Sequence, residues 1–133
     1  MNSAVFTYGS LMFPEVWQRV VRGSYGSAPA VAQGYRRFAV QGYLYPGMIA
    51  QAGAHVAGLV YFDVDAADLA RLDAFEGDEY RREIVHVIAD PDMSIPVSAY
   101  LYSPAEKLSK SAWHPEEFDL QGFLNTYCGF RPV

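Results

Sequence analysis

The sequence predicts a compact α+β domain whose sheet is curled or closed. Two observations point there. Strand-like segments follow one another with few helices between them, the pattern of a sheet with segregated helices rather than of repeated βαβ units. The strongest strand, His55–Val64 (His-Val-Ala-Gly-Leu-Val-Tyr-Phe-Asp-Val), is nearly continuous in apolar residues, which implies burial on both faces or closure into a barrel. A chain of 133 residues, 51% apolar and 19% charged, makes one globular domain with a core that needs neither disulfide nor metal.

The elements follow in order. A first strand covers about Ala4–Thr7 and breaks at Gly9. Pro14 then opens a helix carrying Val16, Trp17, Val20 and Val21, with Gly23 as its expected stop. Residues 23–29, rich in Gly and Ser, read as a loop. Val31–Val40 reads as a strand interrupted at Gly34, followed by a tight turn at Tyr45-Pro46-Gly47. After His55–Val64, Asp65 caps a helix, with Asp68 three residues on as an approximate capping box. Leu69, Leu72 and Phe75 share one face of it, and Gly77 ends it. Tyr80–Ala89 alternates as a strand and turns at Asp90-Pro91-Asp92. Pro96–Tyr102 reads as the last strand. A final helix begins near Pro115, carries Phe118, Phe123, Leu124 and Tyr127, and ends by Gly129.

Composition excludes several functions. A net charge of -5 and a pI near 5.0 argue against a nucleic-acid groove or an anionic membrane surface. No apolar run approaches the length of a membrane span, and the N-terminus lacks the basic and apolar regions of a signal peptide. One cysteine, Cys128, rules out an internal disulfide and suits a reducing compartment, so a cytoplasmic protein is expected. Cys128 falls on an apolar helix face and reads as inert core.

Two stretches could carry chemistry. A strand that turns at Gly9 into a helix start leaves backbone N–H groups of Gly9, Ser10 and Leu11 pointing outward, where they bind an anion or simply make an ordinary turn. Glu76 stands in the last helical turn, where the dipole disfavours a carboxylate, and four residues after Leu72, near the apolar face. It is either kept for reactivity or a solvated member of the acidic Glu76-Gly77-Asp78-Glu79 stretch. Ser10 lacks the second glycine of a nucleophile elbow and has no histidine tied to it. His55, His86 and His114 are isolated. Asp63-Val64-Asp65 and Asp90-Pro91-Asp92 read as a helix start and a turn rather than metal ligands. No phosphate loop is present. The 10 tyrosines are candidates for lining a cavity, since each joins an apolar body to a polar tip.

Taken together, Val5-Phe6-Thr7-Tyr8-Gly9-Ser10-Leu11 and Leu69-Ala70-Arg71-Leu72-Asp73-Ala74-Phe75-Glu76-Gly77, followed by Tyr80 and Arg82, resemble the γ-glutamylcyclotransferase-like superfamily, which includes the AIG2-like proteins. Gly34-Tyr35-Arg36, Tyr45-Pro46-Gly47 and Val56-Ala57-Gly58-Leu59-Val60-Tyr61 fall between them in that family's order. Trp113 and Phe118 resemble the tail of AIG2-like members. The resemblance implies a small mixed β-barrel with flanking helices. It implies that Glu76 is a catalytic base, that Tyr8, Gly9, Ser10 and Leu11 hold the substrate, and that Tyr45 and Tyr102 are candidate pocket walls. The implied reaction cyclises a γ-glutamyl amide to 5-oxoproline with no cofactor and no metal, on a small-molecule substrate. A non-catalytic barrel that binds a γ-glutamyl compound or another carboxylate, or an interaction module of the same fold, is the alternative.

Overall fold

The computed structural model describes residues 2–89 and 93–127. The expected turn at Asp90-Pro91-Asp92 and the reading of Cys128 and Gly129 lie outside them. The elements are β1 (Ser3–Thr7), α1 (Pro14–Val20), β2 (Ser27–Val40), β3 (Pro46–Val64), α2 (Ala66–Glu76), β4 (Tyr80–Ala89), β5 (Met93–Tyr102), β6 (Leu108–Ala112) and α3 (Leu120–Tyr127), with short 3-10 turns at Ser10–Met12, Ala105–Lys107 and Pro115–Glu117.

The strand pairings run β3-β1-β5-β4-β2, and β2 pairs back onto β3, so the sheet is roughly ring-like. The sheet is mixed, because β1 lies parallel to β5 through Val5 and Ser98 while the other pairs are antiparallel. β2 and β3 are long enough to do two jobs. Their inner halves complete the ring (Ala30 opposite Gly58 and Ala89), and their outer halves (Arg36 opposite Ile49) extend beyond it and carry β6. The change comes at Gly34, whose φ of +86° suits a glycine bulge where the register shifts between Gln33 and Tyr35. The expected interruption at Gly34 is therefore a bend inside one strand.

Side-chain alternation splits the core. Phe6 of β1, Tyr8 just past its end, and Val97, Ala99 and Leu101 of β5 pack together inside the ring. Val5 and Tyr100, one residue out of phase, point to the other face, where Leu11, Trp17, Leu72 and Phe123 cover them. Trp17 stacks on Tyr61 with centroids 3.7 Å apart. Each large side chain fully buried here, such as Phe6 or Leu72, contributes about 1.5–3 kcal/mol.

Several boundaries differ from the sequence expectation, each for a local reason. α1 ends at Val20 instead of near Gly23, because the Arg22 and Gly23 N–H groups turn away to donate to Asp68 Oδ1 and Oδ2 at 2.9 Å each. That contact also replaces half of the capping box. Asp65 accepts from the Asp68 N–H at 2.8 Å, but the Asp68 carboxylate is engaged with residues 22 and 23 rather than with the cap. The supposed loop after Gly23 already joins β2 at Ser27. The tight turn falls on residues 41–45, and Pro46 and Gly47 open β3. Residues 46–50 are strand because Tyr35–Ala39 pairs with them, and β3 runs on from there through the expected His55–Val64. β5 starts at Met93, and β6 was not expected at all. It is a short, polar edge strand held to β2 at Phe38–Ala112 and Val40–Leu108. Pro115 starts only a 3-10 turn, and the helix proper begins at Leu120.

Candidate active site

The cleft forms where the end of β1, the end of α2 and the tip of the β2–β3 arm converge. It is narrow and is lined by the Phe6–Leu11 stretch, Tyr45, Pro46, Glu76, Tyr80 and Tyr100.

The turn after β1 is built by contact. Gly9 has φ −132°, outside the left-handed region, but a Cβ there would come within 2.7 Å of Pro46 Cγ. Only glycine lets the arm close on the turn. The following 3-10 turn uses the Met12 and Phe13 N–H groups, which donate to the Gly9 and Ser10 carbonyls at 3.0 and 3.1 Å. The β1 ladder stops at Thr7. Neither uses the N–H groups of Gly9, Ser10 and Leu11, which border the cleft. Arg37 steadies the turn from behind, donating to the Tyr8 carbonyl at 2.7 Å while lying over Trp113 at 5.3 Å.

Glu76 is the last residue of α2, and Gly77 turns the chain there with φ +81° while its N–H donates to the Asp73 carbonyl at 3.1 Å. Burial pushes the Glu76 carboxyl up to about 8, and among the described residues no ion pair or hydrogen bond offsets it. The neighbours explain why. Its charge is felt by Tyr8, Tyr80 and Tyr100, yet their hydroxyls donate elsewhere: Tyr8 to the Tyr100 carbonyl at 2.6 Å, Tyr80 to the Pro46 carbonyl at 2.7 Å, and Tyr100 to Asp73 at 2.7 Å. All three phenols are pushed upward, by burial first and then, among other causes, by the nearby Glu76. The result is an isolated carboxyl that holds its proton near neutral pH and can exchange it with something placed in the cleft.

Of the residues expected to form a site, the structure brings together Tyr8, Gly9, Ser10, Leu11, Tyr45 and Glu76. Tyr102 is not with them. It is buried behind Tyr80, ring centroids 5.2 Å apart, and its hydroxyl donates to Glu79 at 3.2 Å. Tyr80 and Tyr100 take the wall instead. Tyr80 could have been found from its place just past the helix stop, and Tyr100 from sharing a strand face with Tyr102. His55, His86 and His114 are exposed, and none lines the cleft with Ser10. Among the described residues no cluster of His, Cys, Asp or Glu could hold a metal ion. No helix among them is long and apolar enough to cross a membrane.

The model of the family described as Gamma-glutamyl cyclotransferase, AIG2-like, matches residues 5–119. The chain belongs to this family. AIG2-like protein D of Arabidopsis thaliana is 31% identical over 127 residues, which cover 91% of this chain and 84% of that protein. Protein AIG2 C of the same plant is 32% identical over 99 residues, 74% of this chain, and the chain spans only 60% of its length. The fold agrees as well. A solution structure of an Arabidopsis thaliana protein superposes with a TM-score of 0.73 at 26% identity, covering 98% of this chain and 95% of the other. A structure named gamma-glutamyl cyclotransferase superposes with a TM-score of 0.69 at 19% identity, covering 82% and 69%, a likeness of fold alone. The AIG2-like match takes in both the turn at Gly9 and the helix end at Glu76.

Proposed function

We propose that this AIG2-like chain is a γ-glutamylcyclotransferase-type enzyme that converts a γ-glutamyl amide to 5-oxoproline and releases the amine or amino acid, with Glu76 as general base. The observation that carries the proposal is the Glu76 carboxyl, raised to about 8 and unpaired among the described residues, in one cleft with the Gly9–Leu11 turn.

The α-ammonium of the substrate enters beside Glu76, and its positive charge favours the ionised carboxylate. Glu76 accepts a proton, and the freed amine attacks the γ-carbonyl carbon. A C–N bond forms and closes the five-membered ring. The developing oxyanion or the α-carboxylate sits on the Gly9–Leu11 N–H groups. Glu76 returns that proton to the leaving nitrogen as the old C–N bond breaks. It then takes the second proton from the ring nitrogen, which leaves the lactam neutral, and passes it on to the departing amine as its ammonium. Nucleophile and electrophile share one molecule, so holding the folded glutamyl chain does most of the work, and such pre-organisation is worth up to about 7–11 kcal/mol. An acid with a pKa near the working pH suits a group that both takes and gives a proton.

The test is incubation of the purified protein with a panel of γ-glutamyl amino acids, γ-glutamylamines and glutathione, with 5-oxoproline measured by mass spectrometry. Formation of 5-oxoproline that depends on Glu76 supports the reading. Tight binding of the same compounds with no turnover would make the chain a binding barrel.

A further inference from the structure

Gly9 has no side chain to hold its own peptide plane, and the approach of Pro46 leaves room for nothing larger. The stiffness of the turn has to come from outside it. Arg37, on the outer half of β2, supplies that support. Its Nη1 donates to the Tyr8 carbonyl at 2.7 Å and reaches the Ala57 carbonyl of β3 at 3.4 Å. The guanidinium lies 5.3 Å over the Trp113 ring. The Trp113 indole N–H in turn donates to the Leu44 carbonyl at 2.9 Å, next in sequence to Tyr45 of the cleft wall. We infer that Arg37, braced by Trp113, is a positioning residue that aims and strengthens the Gly9 N–H as a donor to the substrate's α-carboxylate. The inference rests on the cyclotransferase reading for its ligand and adds the residues that prepare the anchor.

A trans peptide is planar, and its carbonyl and the following N–H point in opposite directions. Holding the Tyr8 carbonyl toward Arg37 therefore turns the Gly9 N–H away from Arg37, and Gly9 borders the cleft. The same bond carries charge. A carbonyl that accepts from a cation polarises its own peptide, so the N–H at the other end becomes a better donor to an anion. Among the described residues no carboxylate makes an ion pair with Arg37. Glu116, whose charge it feels, lies beyond that reach. The guanidinium is thus left to the carbonyls and the indole face. Arg37 is also not among the residues lining the cleft. A cation inside it would pair with Glu76 and pull that carboxyl down. Behind the turn, the positive charge favours the ligand's carboxylate and leaves Glu76 unpaired.

The experiment compares the full chain with Arg37→Met, Arg37→Lys and Trp113→Leu. The probes are γ-glutamyl methylamide and the same compound with its α-carboxylate amidated. Arg37→Met is expected to raise KM and the calorimetric Kd for γ-glutamyl methylamide at least about 10-fold, with kcat kept within about 3-fold. The Kd of the amidated compound should change by less than about 2-fold, because the neutral amide draws little from a polarised N–H. Arg37→Lys keeps the charge without the planar fork and should recover part of the loss. Trp113→Leu should weaken the carboxylate probe in the same direction and by less. An equal loss for both probes would make Arg37 merely structural and overturns the inference. So does an unchanged Kd, or a fall in kcat with KM unchanged. If Arg37→Met does not fold, judged by its circular dichroism melt, Arg37→Lys and Trp113→Leu decide, and an unchanged ratio of the two Kd values in both counts against it. Absence of 5-oxoproline from every γ-glutamyl compound would fail the cyclotransferase reading by itself. The calorimetric comparison then decides alone, and a parent that binds neither probe, or both equally, overturns the inference.

Discussion

The Tyr100 hydroxyl donates to Asp73 Oδ1 at 2.7 Å and so fastens a wall of the cleft to the helix that ends in Glu76. Arg82 Nε donates to the same oxygen at 2.8 Å from β4. Asp73 and Glu76 are three residues apart on α2, yet one is exposed and paired while the other is turned into the cleft. Asp73 thus holds Tyr100 in place, and the Glu76 carboxyl has no partner among the described residues.

That pairing predicts non-additive mutants. Tyr100→Phe keeps the ring and drops the bond, and Asp73→Asn weakens it from the other side. A hydrogen bond to a charged group is worth about 1.5–3 kcal/mol, so each variant should melt a few degrees lower. The double mutant should cost less than the sum, with a coupling of at least about 0.5 kcal/mol in a double-mutant cycle of denaturant midpoints. Simple additivity would mean the bond contributes nothing in solution.

Asp68 makes the second prediction. It is 1% exposed, and burial alone would raise its pKa. Hydrogen bonds from Tyr25, Gly23, Arg22 and Arg71 outweigh that and hold it well below the usual carboxylate range. A carboxyl with a lowered folded pKa contributes stability that is present above its unfolded value of 3.8 and lost as the pH falls below it. Asp68→Asn should cost about 3–5 kcal/mol at neutral pH, because the donors from residues 22, 23 and 25 face an amide in place of a charge. The deficit should shrink below about pH 4, where the unfolded parent takes up a proton on this carboxyl while the folded parent still holds it ionised. Urea denaturation at pH 7 and pH 3 reads it, and a deficit independent of pH would contradict the assignment.

How far the site could be read from the sequence follows from these contacts. Glu76 and the Gly9 turn were legible because each breaks a local rule, a carboxylate at a helix C-terminus and a strand stopped by glycine. The near-continuous apolar run of β3 announced closure of the sheet, although its left-handed bulge residue Asp63, φ 59°, did not show. What stayed hidden depends on pairing between distant segments. Residues 46–50 become a strand only against Tyr35–Ala39, and β6 only against Phe38 and Val40. Tyr102 and Tyr100 occupy one strand face and look interchangeable in sequence. In the fold Tyr80 and Tyr100 line the cleft, whereas the Tyr102 ring packs against Tyr80 away from it.

Ser10 is 8% exposed and borders the cleft with no histidine beside it. With an internal amine as nucleophile, no covalent intermediate is needed. Ser10→Ala is expected to raise KM by a few-fold and leave kcat within about an order of magnitude. Mass spectrometry of quenched reactions should show no acyl adduct on the intact protein. An adduct at Ser10, or complete loss of turnover with an unchanged melt, would contradict this.

The Gly9–Leu11 N–H groups predict recognition of the substrate's α-carboxylate. Amidating that carboxylate removes the negative charge they attract, and charge-assisted bonds are roughly twice as strong as neutral ones. The amidated analogue should bind at least about 10-fold more weakly in calorimetry. Equal affinity would leave the turn with no part in anchoring the glutamyl half.

Glu76→Gln separates reactivity from architecture, because the two respond oppositely. The amide keeps the shape but cannot take the proton, and loss of a positioned base costs about 10²–10⁴ in rate. In the parent, kcat/KM should climb as the pH rises toward about 8, where burial has placed this carboxyl, and the residual activity of the variant should lack that limb. Stability runs the other way. The folded pKa is raised from 4.5 to about 8, so the contribution of the protonated carboxyl is fully present below 4.5 and lost as the pH rises through 8. Above that range the parent carries a charge that is poorly solvated and set against the negative end of the α2 dipole. The Gln variant should therefore match the parent in thermal melts near pH 4.5. It should gain on the parent steadily up to pH 8, by an amount on the order of a few kcal/mol, and hold a constant lead beyond. A constant offset at every pH would mean that Glu76 is solvated as an ordinary surface glutamate, and an unfolded Gln variant would make it structural. A variant that is stable, binds the glutamyl analogue and has lost turnover is the outcome the isolated carboxyl in this cleft requires.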